Sequence, residues 1–81
     1  SSEGAVQACQ NAVRDRANER YGFREIDFRN MNANDPGRNE TVIGSFDVRR
    51  NNFGETYDFT CAVDQRSGMV RRVDISQRSR S

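Results

Sequence analysis

The chain has no histidine, no lysine and no tryptophan, and its 81 residues include one proline and two cysteines. The missing histidines remove the commonest general base and the commonest metal ligand together. All 13 basic residues are arginine, set against 12 acidic ones, for a net charge of +1. So even a balance exerts no long-range pull on nucleic acid or anionic lipid. No run of 18 apolar residues occurs, so no helix is expected to span a membrane, and the first residues lack the charged and apolar regions of a signal peptide. An exported protein with this sequence is therefore expected to be the mature form.

Only 33% of residues are apolar. A single domain of this size buries roughly 60 to 65% of the surface its unfolded chain exposes, which leaves a marginal core in need of a further staple. From Ser2 to Arg20, Val6, Cys9, Val13 and Ala17 recur at spacings of three and four, the signature of one amphipathic helix, and Gly22 suits its left-handed close. Beyond Gly22 the apolar period drops to two. Four strands are expected at 24–30, 41–50, 55–64 and 69–76. Their connections are "NANDPGRN", "NNFG" and "QRSG", the last read as a three-residue loop with a glycine bulge.

Alternation places Ile26 and Phe28 on one side of the first strand. The same side of the others carries Val42, Gly44, Phe46 and Val48, then Tyr57, Phe59, Cys61 and Val63, then Val73 and Ile75. One apolar sheet face and one apolar helix stripe give an α+β fold: an N-terminal helix packed on a four-stranded antiparallel meander in two layers, a single domain over 1–76 with a disordered tail at 77–81. Gly44 on the covered face is expected to let the helix backbone come close. Cys9 points from helix to sheet and Cys61 from sheet to helix, so a disulfide is expected between them, closing a long loop and contributing about 4 kcal/mol on chain-entropy grounds. Such a bond belongs to an oxidising compartment: periplasm, cell surface or medium.

The hairpin "YDFTCAVDQRSGMVRRVDI", with its Val-Asp-x-x-Ser-Gly-x-Val-x-x-Val core from Val63 to Val73, resembles the C-terminal hairpin of PepSY-like domains. The helix "AVQACQNAVRDRANERYG" ahead of the strands is similar to their layout. The two cysteines are not part of that pattern. What the resemblance implies is a small bacterial extracytoplasmic module, non-enzymatic, that binds another envelope protein or peptide or modulates a peptidase. No catalytic residue and no cofactor carries over.

An enzyme needs a nucleophile with its base, a metal centre or a tuned carboxylate pair in a pocket. Lacking histidine and lysine, and with both cysteines expected to be joined, the chain is left with paired carboxylates, for which a two-layer domain of 81 residues has little room for a deep cleft, and it is read as non-enzymatic. A nucleic-acid platform would need aromatics on the open sheet face, whereas Phe46, Tyr57 and Phe59 fall on the covered one, so no nucleic-acid partner is expected. The protein is read as a monomer. If Phe46 pairs with Phe59 and Phe59 with Val73, the open face carries the rows Ile43, Ala62, Val70; Ser45, Thr60, Arg72; and Asp47, Asp58, Asp74. Three opposed aspartates repel one another. They are either neutralised by Arg49 and Arg72, or they receive a partner's arginine or lysine, or a hard cation such as Ca²⁺, beside the Ile43 and Val70 strip. A structural accessory domain holding a small ligand or cation there is the alternative to a protein-binding module. Phe53 at the tip of "NNFG" and Met31 at the mouth of the long loop are expected to form a second contact patch.

Overall fold

The computed structural model describes residues 2–34, 37–50 and 53–78. Helix α1 spans Ser2–Tyr21 and is followed by β1 (Asp27–Asn34), β2 (Asn39–Arg50), β3 (Phe53–Asp64) and β4 (Val70–Gln77). The strands form one antiparallel sheet in the order β1-β2-β3-β4. This is the two-layer α+β arrangement expected from the change of period. The helix ends where Gly22 takes φ +73 and its N–H donates to the Asn18 carbonyl at 2.9 Å, a left-handed close that glycine adopts without steric penalty.

The helix buries Ala5, Cys9, Val13 and Ala17 against Val42, Phe46, Val48, Tyr57, Phe59, Cys61, Val63 and Val73. It runs opposite to β3. Tyr21 packs beside Tyr57, their rings tilted by 41° with centres 5.6 Å apart, and Cys9 is joined to Cys61, their Cα atoms 5.9 Å apart. The rings of Phe28, Phe46, Phe59, Tyr57, Phe23 and Tyr21 touch in a continuous chain under the helix. Phe46 and Phe59 are almost wholly buried, each contributing roughly 1.5–3 kcal/mol relative to an exposed side chain.

Three local features depart from simple alternation. In β1 the register shifts between Arg29 and Asn32, and Asn30 sits at φ +51. This is a bulge, and asparagine tolerates the left-handed conformation it needs. It extends β1 to Asn34, beyond the expected end at residue 30, and turns Met31 inward. In β4 a second bulge lies opposite Ala62 and Val63, so that Ala62 faces Arg72 while Val63 faces Val70. The hairpin before it closes at Asp64, whose N–H donates to the Met69 carbonyl at 2.8 Å, leaving the four residues 65–68 in the loop rather than three, with Gly68 at φ +74.

Gly44 does not admit the helix backbone. A Cβ there would lie 2.9 Å from Met31 Cγ and 2.9 Å from Phe59 Cζ, so side chains from the sheet itself fill the space. β4 runs to Gln77, one residue past the expected end, and the N–H of Arg78 continues the ladder by donating to the Thr56 carbonyl at 3.0 Å.

Candidate functional site

The open sheet face is the side the helix leaves uncovered, and its pattern follows from where the hairpins close. Arg50 pairs with Phe53, so two residues, both asparagine, join β2 to β3. The expected four-residue connection is thereby shortened, and the register moves by two. Phe46 faces Tyr57 rather than Phe59, and Phe59 faces Ile75 rather than Val73.

The row of three aspartates is therefore absent. Asp47 lies opposite Asp27 on one side and Thr56 on the other, Asp58 opposite Ser45 and Ser76, and Asp74 opposite Thr60. Each is matched by a different arginine: Arg29 Nε lies 2.8 Å from Asp47, Arg78 Nη2 2.6 Å from Asp58, and Arg72 Nε 3.7 Å from Asp74. Thr56 Oγ1 also donates to Asp47 at 2.8 Å. Asp58 in turn favours the charged form of Arg78, raising its pKa through their hydrogen bond. Of the two arginines expected to neutralise the row, Arg72 does pair with an aspartate. Arg29 and Arg78 supply the rest, and neither was assigned a role from the sequence.

The apolar strip is also dispersed. Ile43 is 53% exposed on the open face, between Asn32 and Thr60. Val70 is carried to the helix side by the β4 bulge, opposite Val63, and packs against the core. Met31 likewise packs on the core, with Gln10 Nε2 donating to its Sδ at 3.5 Å, so it is no part of an exposed patch. Phe53 is the first residue of β3 rather than a turn tip; its side chain lies outside the described residues, as do residues 51 and 52. The spacing could have signalled both bulges: Phe28 to Met31 and Val70 to Val73 each separate apolar residues by three where a regular strand needs two.

Two acidic residues missing from the expected site have distinctive settings. Asp64 accepts hydrogen bonds from the N–H groups of Arg66 at 2.8 Å and Ser67 at 3.1 Å, and from Arg71 Nη2 at 2.6 Å. The Arg71 guanidinium, aided by those amides, lowers its pKa from 3.8 to about 2. Glu40 is 6% exposed on the covered face, opposite Val63, and its Oε2 has no hydrogen-bond partner among the described residues.

Among the described residues, no three acidic or cysteine side chains gather as metal ligands, and no helix is long and apolar enough to cross a membrane. Asp47 and Thr56, with Arg29, Arg49 and Glu55, line a recess of about 310 Å³ at one end of the sheet, but Asp47 is already engaged by Arg29 and Thr56. The outer edge of β4 is built differently. Arg78 N–H and alternation turn the main-chain groups of residues 72, 74 and 76 toward β3, so those of Val73, Ile75 and Gln77 point away from the sheet. Arg16 Nη1 from the helix donates to the Val73 carbonyl at 3.4 Å.

No family model matches the chain, and neither does any curated protein or solved structure.

Proposed function

We propose that the protein is a non-enzymatic module of the bacterial periplasm or cell envelope that binds another envelope protein or peptide or modulates a peptidase. The observation that carries this reading is the asymmetry of its covering: a disulfide-tied helix seals one sheet face, while the other face and the edge of β4 remain open and polar. The disulfide suits an oxidising compartment. Histidine and lysine, the usual bases beside a nucleophile, are absent, and both thiols are joined. Bacterial origin and peptidase modulation rest on the hairpin's resemblance to PepSY-like domains. The alternative of a small-ligand or cation accessory domain has no observation in its favour, because the aspartate row behind it is dispersed.

The test is capture from periplasmic extract by the immobilised, oxidised protein, beside an unfolded control carrying Phe46→Ala and reduced cysteines. The expected result is one protein retained in stoichiometric amount by the folded form alone, with a change in the extract's peptidase activity when the folded protein is added. Equal retention by both forms, with peptidase activity unmoved, would overturn the reading.

A further inference from the structure

The two outer strands of the sheet are unlike each other. On β1 the bulge at Asn30 breaks the line of main-chain groups that a further strand would need. On β4 the line is regular from Val73 to Gln77, and among the described residues only the Val73 carbonyl is engaged, by Arg16. Arginines flank the edge on both sides. Arg16 reaches it from the helix and has no carboxylate partner among the described residues, and Arg72 reaches it from the open face. Arg72 holds Asp74 only at 3.7 Å, with both side chains more than half exposed, so little is lost in exchanging that partner for another.

We propose that the outer edge of β4 is a strand-addition site for an extended, acidic segment of a partner protein. Main-chain hydrogen bonds form at Ile75 and Gln77, and the segment's carboxylates lie against Arg16 and Arg72. Backbone pairing supplies the affinity and alternate side chains the selectivity: those on the helix side meet Ile75 and Arg16, and those on the open side meet Arg72. This deepens the protein-binding reading and rests on it.

The probe is a fluorescein-labelled synthetic peptide of about ten residues alternating valine and glutamate, long enough to span the edge. It is compared with the same peptide N-methylated at alternate amides and with an arginine-for-glutamate version. Fluorescence anisotropy on the oxidised protein is expected to give saturable binding with Kd below about 1 mM for the acidic peptide, weakened about tenfold or more by N-methylation, and none for the basic one. Arg16→Glu together with Arg72→Glu is expected to weaken binding about tenfold, and Arg24→Glu, away from this edge, to leave it unchanged. Ile75→Pro is an independent check, because it deletes an N–H that points outward and serves no bond to β3. It should abolish binding of the acidic peptide while circular dichroism stays that of the folded protein. Binding that survives N-methylation would reduce the effect to charge alone and overturn the proposal. So would the lack of any saturable binding, or a dimer of this chain closed through β4 that excludes the peptide. An envelope protein captured equally by the wild type and by Ile75→Pro would remove the β4 site and leave the binding-module reading standing.

Discussion

The two faces of the sheet are made of alternate residues from the same four strands, yet they are held by different forces. On the helix side Phe46, Phe59, Tyr57 and Cys61 are buried, in ring contact or covalently tied, and almost no polar group is left among them except Glu40. On the open side Asp47, Asp58 and Asp74 each hold an arginine in solvent, and one large apolar residue among those described, Ile43, stands half exposed. Burial of apolar area and loop closure are worth several kcal/mol per feature, whereas exposed ion pairs are worth about 1 kcal/mol or less each. One face specifies and stabilises the fold. The other is free to vary without unfolding it.

Unequal responses to substitution should expose this division. The largest effect is expected on the covered side: replacing Cys9 and Cys61 together by alanine removes a crosslink spanning 52 residues and should lower stability by about 4 kcal/mol. Urea denaturation followed by circular dichroism would measure it; a loss below about 1 kcal/mol would mean that the packed rings alone hold the helix. Gly44→Ala comes next, at about 1–3 kcal/mol, because the added methyl meets Phe59 and Met31 at 2.9 Å. Adding Met31→Ala should recover part of that penalty, and strict additivity of the two changes would show that the contact is not shared. On the open side, Asp58→Asn should change stability by less than about 1 kcal/mol despite the 2.6 Å pair with Arg78.

The smallest effect is a dependence on acid confined to the β3–β4 loop. Asp64 titrates at about 2 in the fold, below its ordinary 3.8, so its ionised form stabilises the hairpin. That contribution is complete above about pH 4 and fades as the pH falls through about 2. The fall in Tm across that window is expected to be shallower in Asp64→Asn. Identical slopes would mean that Arg71 and the two amides do not distinguish the charged carboxylate.

The helix, the strand count and the disulfide were legible because each rests on periodicity. Cys9 lies on a stripe of spacing three and four, Cys61 on an alternation of two, and the two patterns face each other in a two-layer fold. The site was not legible to the same degree, because a pattern on an open face depends on register, and register depends on where each hairpin closes. One closure at Arg50 and Phe53 moved Asp58 from beside Asp47 to beside Ser45. Bulges did the rest: an extra residue in β1 and another in β4 sent Met31 and Val70 to the opposite face from the one alternation assigns. Arg78 escaped notice because it was assigned to a tail, whereas its N–H carries the ladder past the end of β4.

The crosslink also divides the chain topologically. The segment from Cys9 to Cys61 forms a closed ring containing most of α1, all of β1 and β2, and most of β3, while β4 lies wholly outside it. A ring restricts how far its own members can separate but places no limit on a pendant strand. Local opening is thus least hindered at β4, which is held by one neighbour in the sheet, by Val73 under the helix, by the ladder to Thr56 and by the reach of Arg16. In native-state amide hydrogen exchange, β4 then forms the low-energy opening unit and the ring the last to exchange. The strand offering its edge to a partner is also the one the protein can release without breaking its covalent frame.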